Sequence, residues 1–135
     1  MLLNLYVLCG VPGSGKTTYA KQLSEDKTIV KLSYDELRCP SQLEFARLIR
    51  KELRNGKSVV ADTVNNSVFN RKLILDFIKD IECNKVLVFL DTALDDCLTR
   101  NNLREKPMNP NIIKCIHKSF QTPTLDEGWD EIIII

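Results

Sequence analysis

Three glycines, a lysine and a threonine are the residues of this chain best suited to chemistry. Gly10-Val-Pro-Gly-Ser-Gly15-Lys16-Thr17 fits the phosphate-cradling pattern G-x-x-x-x-G-K-[ST] at every fixed position. Glycines at 10, 13 and 15 tolerate positive φ, so successive N–H groups can converge on phosphate oxygens. Lys16 is a point charge for the β- and γ-phosphates, and the Thr17 hydroxyl is a ligand for Mg²⁺. The loop residues Gly10, Pro12, Gly13, Ser14, Gly15, Lys16, Thr17 and Thr18 are therefore the expected nucleotide-binding set. The expected ligand is ATP or another nucleoside triphosphate.

Further polar residues stand where strands end. Asp35 follows the second apolar run and is placed to accept the proton of an acceptor hydroxyl. Arg38, three residues on, is a candidate clamp for a phosphate carried by the acceptor; the alternative is an ordinary surface Asp–Arg pairing. Asp62 closes the run Ser58-Val-Val-Ala-Asp62 as a second Mg²⁺-side acid, or else caps the turn that follows. Arg100 and Arg104, four apart, share a face if both are helical, and could neutralise a transferring phosphoryl group from a short lid. They could equally be surface arginines.

Positioning these groups takes an alternation of strands and helices. The apolar run Leu2–Cys9 is a strand leading into the loop, and a helix over Lys16–Leu23 turns Tyr19, Ala20 and Leu23 inward. Strands follow at Thr28–Leu32, Ser58–Asp62, Lys85–Leu90 and Ile132–Ile135, the last reading as buried on both faces. Between them lie four more helices. One starts at a Ser41/Glu44 capping box, runs to Asn55-Gly56 and buries Leu43, Ala46, Ile49 and Leu53. Its other face carries Arg47, Arg50, Lys51 and Arg54, a solvated face or a track for a nucleic-acid backbone. The next is capped by Asn65-Asn66-Ser67 and runs to about Asp80, burying Leu73, Ile74, Phe77 and Ile78. A fourth opens at Thr92/Asp95, and a fifth at Asn109-Pro110 turns Ile112, Ile113, Ile116 and Phe120 inward. The one histidine, His117, reads as structural.

Composition narrows the class. The chain has 135 residues, 44% of them hydrophobic and 27% charged, consistent with one α/β domain. A net charge of +1 points neither toward nor away from a polyanion, so such a partner would need a local patch. The five scattered cysteines form no C-x-x-C pair and read as reduced, mostly buried thiols. No stretch reads as a leader or a membrane span. The expected location is the cytoplasm, that of a host cell for a viral chain.

The chain resembles the 5′-hydroxyl polynucleotide kinases, the kinase domains of phage and eukaryotic end-healing enzymes. The matching pieces are GVPGSGKTT at 10–18, YDELR at 34–38, ADT at 61–63, RNNLRE at 100–105 and FQTPTLDEGWDEI at 120–132. The resemblance implies a doubly wound P-loop kinase fold with a five-stranded parallel sheet, order 2-3-1-4-5, and a short arginine-bearing lid. It implies transfer of the γ-phosphate of ATP, with Mg²⁺, to 5′-hydroxyl ends of DNA or RNA. Asp35 would be the general base, Lys16 and Arg104 the transition-state cations, and Arg38 the contact to the phosphate 3′ of the terminal nucleoside. Arg100 would join the nucleotide site, and Thr17 with Asp62 the metal. Phosphatase or ligase steps would belong to separate enzymes. Where such kinases carry an asparagine close after the third-strand aspartate, this chain has Asp62-Thr63-Val64-Asn65. The residues alone leave two other readings: a kinase for a small-molecule acceptor such as a nucleotide, sugar or antibiotic, and a non-catalytic nucleotide switch.

Overall fold

The computed structural model describes residues 2–135. In chain order the strands are β1 (Leu3–Cys9), β2 (Ile29–Ser33), β3 (Ser58–Asp62), β4 (Cys83–Phe89) and β5 (Glu131–Ile134). The helices are α1 (Lys16–Leu23), α2 (Tyr34–Leu37), α3 (Gln42–Arg54), α4 (Val68–Ile78), α5 (Leu94–Asn102) and α6 (Pro110–Ser119). A 3-10 turn at Leu125–Glu127 precedes β5. All pairings are parallel and the strand order is β2-β3-β1-β4-β5. From β1 the chain crosses to the edge at β2 and then runs back the other way through β3, β4 and β5, so the connections leaving the neighbouring strands β1 and β4 head in opposite directions. That is the switch point where open α/β sheets bind ligands beyond their strand ends.

Both faces of the sheet are covered, so the inner strands are apolar through Leu5–Cys9, Val59–Ala61 and Val86–Phe89, apart from the Tyr6 hydroxyl. On one face α1 brings Ala20 against Leu8, Val60, Val86 and Val88. On the other, α3 and α4 bring Phe45, Ile49, Leu53, Ile74 and Ile78 against Leu5, Val7, Val59 and Leu87. Phe120, beyond α6, stacks on Phe89 with ring centroids 5.3 Å apart. Among the described residues no helix is long and apolar enough to cross a membrane.

The structure alters several sequence expectations. Strand β5 is an edge strand that pairs with β4 on one side, so Ile134 and Ile135 are 65% and 56% exposed rather than buried on both faces. Tyr34–Leu37 adds a one-turn helix to the five expected, because the Ser33 hydroxyl accepts the Glu36 N–H. The inward faces of three helices keep Ala46, Ile49, Leu53, Ile74, Ile78 and Ile113 as expected and differ at a few positions. Phe45 replaces the exposed Leu43 in α3, Arg71 and Leu75 join Ile74 and Ile78 in α4, and Ile112 of α6 lies open. Helix α4 stops at Ile78. The Ser41/Glu44 box is half-formed: Ser41 Oγ accepts the Glu44 N–H, while the Glu44 carboxylate pairs with Arg47.

Cys9, Cys83 and Cys97 are buried, Cys39 is half-buried and Cys115 exposed. Burial pushes the Cys9 thiol up to about 12, against the nearby Arg71. The basic face of α3 is partly committed to local pairs: Arg47 to Glu44, and Arg50 to Asp80 and the Phe77 carbonyl.

Candidate active site

The glycine-rich loop leaves β1 and feeds α1, and its shape is held from three sides. The Gly10 N–H donates to the Val64 carbonyl at 3.1 Å, the Thr92 hydroxyl to the Ser14 carbonyl at 2.8 Å, and Arg100 Nη1 to the Gly13 carbonyl at 3.1 Å. Gly13 and Gly15 adopt φ of 87° and 103°. At Gly13 a Cβ would lie 2.7 Å from the Cys97 carbonyl oxygen, so the loop and α5 touch backbone to backbone. Thr92, expected from sequence to open the fourth helix, serves the loop instead. The N-cap of α5 is Ala93, without a side-chain bond.

Lys16 is 8% exposed and its Nζ donates to the Val11 carbonyl at 3.0 Å. Burial pushes its ammonium down from the ordinary range, against the pull of the carboxylates of Asp62 and Asp35. Burial also pushes the Asp62 carboxyl up, against Lys16 and the Thr17 hydroxyl. Both groups are thus set in a site that favours an added counter-charge. Thr17 Oγ1 donates to Asp62 Oδ2 at 3.2 Å, so Asp62 faces the loop and does not cap the next turn. Ser14 Oγ is buried without a partner among the described residues.

These features fit a bound polyphosphate and its cation. The helix start and inward N–H groups suit an anion. The Thr17 hydroxyl and Asp62 carboxylate are hard oxygen donors suited to Mg²⁺, which completes its shell with water and phosphate.

A cavity of about 190 Å³ opens beside the loop, and Lys16, Thr17, Asp35, Asp62 and Arg104 all line it. Asp35 reaches it from the short α2 at the end of β2, exposed and beyond Ser33, which registers with Asp62 across the β2–β3 pair. The remaining wall is more apolar, with Tyr34, Val64, Met108 and Ile116. Gln42 also lines it, and its buried Oε1 has no partner among the described residues. Arg38 is different. It takes a left-handed conformation (φ 51°) at the end of α2, is exposed, and is not part of this wall.

Arg100 and Arg104 do not share a helix face. Helix α5 ends at Asn102, and Arg104 lies in the turn beyond. The buried Asn101 side chain bonds both the carbonyl and the N–H of Met108, at 2.7 and 3.0 Å, which folds that turn back on the helix. Both arginines still line one crevice of about 180 Å³ with Gly13, Gly15, Lys16 and Thr17. Arg104 faces this crevice and the larger cavity together. On the far side of the loop, Gly15, Thr18, Thr92 and Arg100 border an open hollow of about 600 Å³. Pro12 belongs to the cavity of about 190 Å³, not to this side. His117 is exposed in a separate crevice with Phe89 and Phe120.

Sequence reasoning missed Gln42, Thr92 and Met108. Thr92 alone had a signal, its position directly after a strand end. Asn65, expected as a cap, takes φ of 49° and donates from Nδ2 to the Leu8 carbonyl at 2.9 Å; Ser67 caps α4.

The family model AAA_33, an AAA domain, matches residues 5–121. L-seryl-tRNA(Sec) kinase of Methanococcus maripaludis is 30% identical over 93% of this chain and 56% of its own length. The bifunctional polynucleotide phosphatase/kinase of Schizosaccharomyces pombe is 25% identical over 95% of this chain and 32% of its own. The chain therefore spans about half of one curated relative and a third of the other. A fungal RNA kinase crystal structure superposes with a TM-score of 0.79 at 18% identity, over 100% of this chain and 38% of that one, a likeness of fold. With a family match across most of its length and this sheet order around this loop, the chain belongs to the AAA_33 family of AAA domains and has the fold of a P-loop kinase.

Proposed function

We propose that this chain transfers the γ-phosphate of ATP to the 5′-hydroxyl end of DNA or RNA. One observation carries the reading: Lys16, Thr17 and Asp62 share a single cavity with Asp35 and Arg104. In it, Asp35 takes the proton from the acceptor hydroxyl as its oxygen bonds to the γ-phosphorus. The bond from that phosphorus to the β–γ bridging oxygen breaks, and ADP leaves. Lys16 and Arg104 balance charge on the transferring oxygens from two sides. Thr17 and Asp62 would hold Mg²⁺, which would supply positive charge against the phosphates of the donor. The loop from Gly10 to Thr18 cradles the phosphates, with Arg100 bracing it through Gly13. Tyr34, Val64, Met108 and Ile116 offer apolar surface to a terminal nucleoside. Arg38, free of ion pairs among the described residues, reaches for the next phosphate.

The nucleic-acid acceptor is supported by the sequence resemblance and by the two curated relatives, each named for a nucleic-acid substrate. A second reading has its own support. The 30% identical relative is named for a seryl group carried on tRNA, and a seryl hydroxyl is a primary alcohol like the 5′-hydroxyl. Transfer of γ-labelled phosphate from ATP with Mg²⁺ separates the readings. The acceptors are a 5′-hydroxyl oligonucleotide, a nucleoside 3′-monophosphate, a free nucleoside and seryl-tRNA. Label on the first two is the expected result. Label confined to seryl-tRNA would replace the 5′-end reading, and label on none would send the search to small-molecule acceptors.

A further inference from the structure

Arg71 is the largest fully buried side chain among the described residues, and the proposed chemistry makes no use of it. Helix α4 turns it inward one turn from Ser67. There Nε and Nη2 donate to the two Glu127 carboxylate oxygens at 2.7 and 3.0 Å, and Nη1 donates to the Asn65 carbonyl at 2.8 Å. Glu127 is held in turn. One oxygen accepts the Thr124 N–H at 3.0 Å and the other the Trp129 indole N–H at 3.2 Å. The P-T-L-D-E-G-W run noted in the sequence is therefore a carboxylate holder: a capping box at Thr124, a left-handed Gly128 and a buried indole.

What this pair touches is the back of the active site. Asn65 has a positive φ of 49°, a left-handed conformation that asparagine adopts more readily than other non-glycine residues. Its side chain bonds the Leu8 carbonyl, and its own carbonyl accepts from Arg71 and from the Cys9 thiol. The preceding residue, Val64, accepts the N–H of Gly10, the first residue of the phosphate loop. Residues 62–65 thus run from the cation-side carboxylate to the loop entry, and Arg71 grips the end of that run.

A buried ion pair is a poor way to add stability, because apolar side chains of similar size would fill the space at no cost in desolvation. They could not hold a carbonyl in place. We propose that Arg71 and Glu127 are positioning residues: by fixing the Asn65 carbonyl they set the 62–65 segment, and with it Asp62, against the entry of the phosphate loop. The inference rests on the reading of Thr17 and Asp62 as the Mg²⁺ side of the site.

The test compares Arg71→Lys, which keeps the charge but not the planar fork, with Glu127→Gln and with Arg71→Met/Glu127→Met, which removes both charges together. Ile78→Ala, buried in the same helix, controls for lost stability. Three quantities are read: melting temperature, affinity for β,γ-imido-ATP with and without Mg²⁺, and amide exchange at Gly10. The expected result is a fall of about 10-fold or more in affinity with Mg²⁺, as outer partners of a metal site typically give. Affinity without metal should change little, and Gly10 exchange should quicken. Ile78→Ala should lower only the melting temperature. If the single variants do not fold, the double variant decides. Mg²⁺-dependent affinity and Gly10 protection that stay at wild-type levels in a folded variant overturn the proposal. Failure of the wild-type protein to bind the Mg²⁺ complex would instead sink the reading of Thr17 and Asp62, and Gly10 exchange would still decide the positioning.

Discussion

The two sides of the cleft are built differently. On the donor side the backbone amides of the loop and the buried side chains of Lys16 and Asp62, 8% and 6% exposed, stand beside the exposed Thr17 and Arg100. On the acceptor side Asp35, Arg38 and Arg104 are all exposed, on a one-turn helix and a turn beyond α5. The donor side is organised before any ligand arrives, since its hydrogen bonds are already made within the fold. The acceptor side leaves its charges free for a partner from solution. A phosphate tail common to every nucleoside triphosphate suits a fixed cradle, and in the proposed reaction the choice of acceptor would fall to the exposed side chains.

Substitutions on the two sides should therefore fail in different ways. The largest effect is expected at Asp35: Asp35→Asn lowers the transfer rate by about 10²–10⁴-fold, the usual worth of a general base. Nucleotide affinity, read by calorimetry, stays near wild type. Equal loss of nucleotide binding would erase the division between the sides. Next comes Gly13→Ala, which puts a Cβ 2.7 Å from the Cys97 carbonyl at a φ of 87°. It should cost about 1–3 kcal/mol in denaturant unfolding and weaken nucleotide binding with it. Arg38→Ala is milder. KM for a 5′-hydroxyl oligonucleotide should rise by roughly 10-fold, as for one lost charge-assisted contact. KM for a free nucleoside should stay unchanged.

Two further measurements concern the scaffold. Burial alone would raise the Glu127 carboxyl, but Arg71, the Trp129 indole and the Thr124 N–H together hold it below the usual carboxylate range. Its contribution to stability is then fully present above the unfolded value of about 4.3 and is lost as pH falls through the folded value. Glu127→Gln should flatten the acid limb of a plot of melting temperature against pH. The smallest effect belongs to Arg50, whose pair with Asp80 lies at the surface. Arg50→Ala should shift the melting temperature by a few degrees at most and leave transfer unchanged. The two arginine–carboxylate pairs share a chemistry and differ in burial, so a large loss at Arg50 would contradict the weight given to burial.

Much of the donor side was legible in the chain. The loop at 10–17 carries its conformational needs in its own glycines, and the strands beside it are continuous apolar runs. The sheet order was implied by the resemblance and is found in the fold, although periodicity says nothing about which strands are neighbours. The acceptor side was read less well. Asp35 was identified from its place after a strand, yet the one-turn helix that presents it depends on a single Ser33 cap. Arg100 and Arg104 were expected on one helix face, and the Asn101–Met108 bonds put Arg104 beyond the helix end.

The sequence by itself determined the phosphate loop, the alternation of strands and helices, and the strand-end carboxylates, because each depends on residues close together in the chain. Tertiary structure alone decided that Arg71 meets Glu127 across 56 positions, that Thr92 serves the loop rather than a helix, and that β5 is an edge. It also decided that Gln42 and Met108 wall the cavity beside the phosphate loop. These are contacts between segments far apart in sequence, and local propensity and spacing carry no record of which distant surfaces will meet.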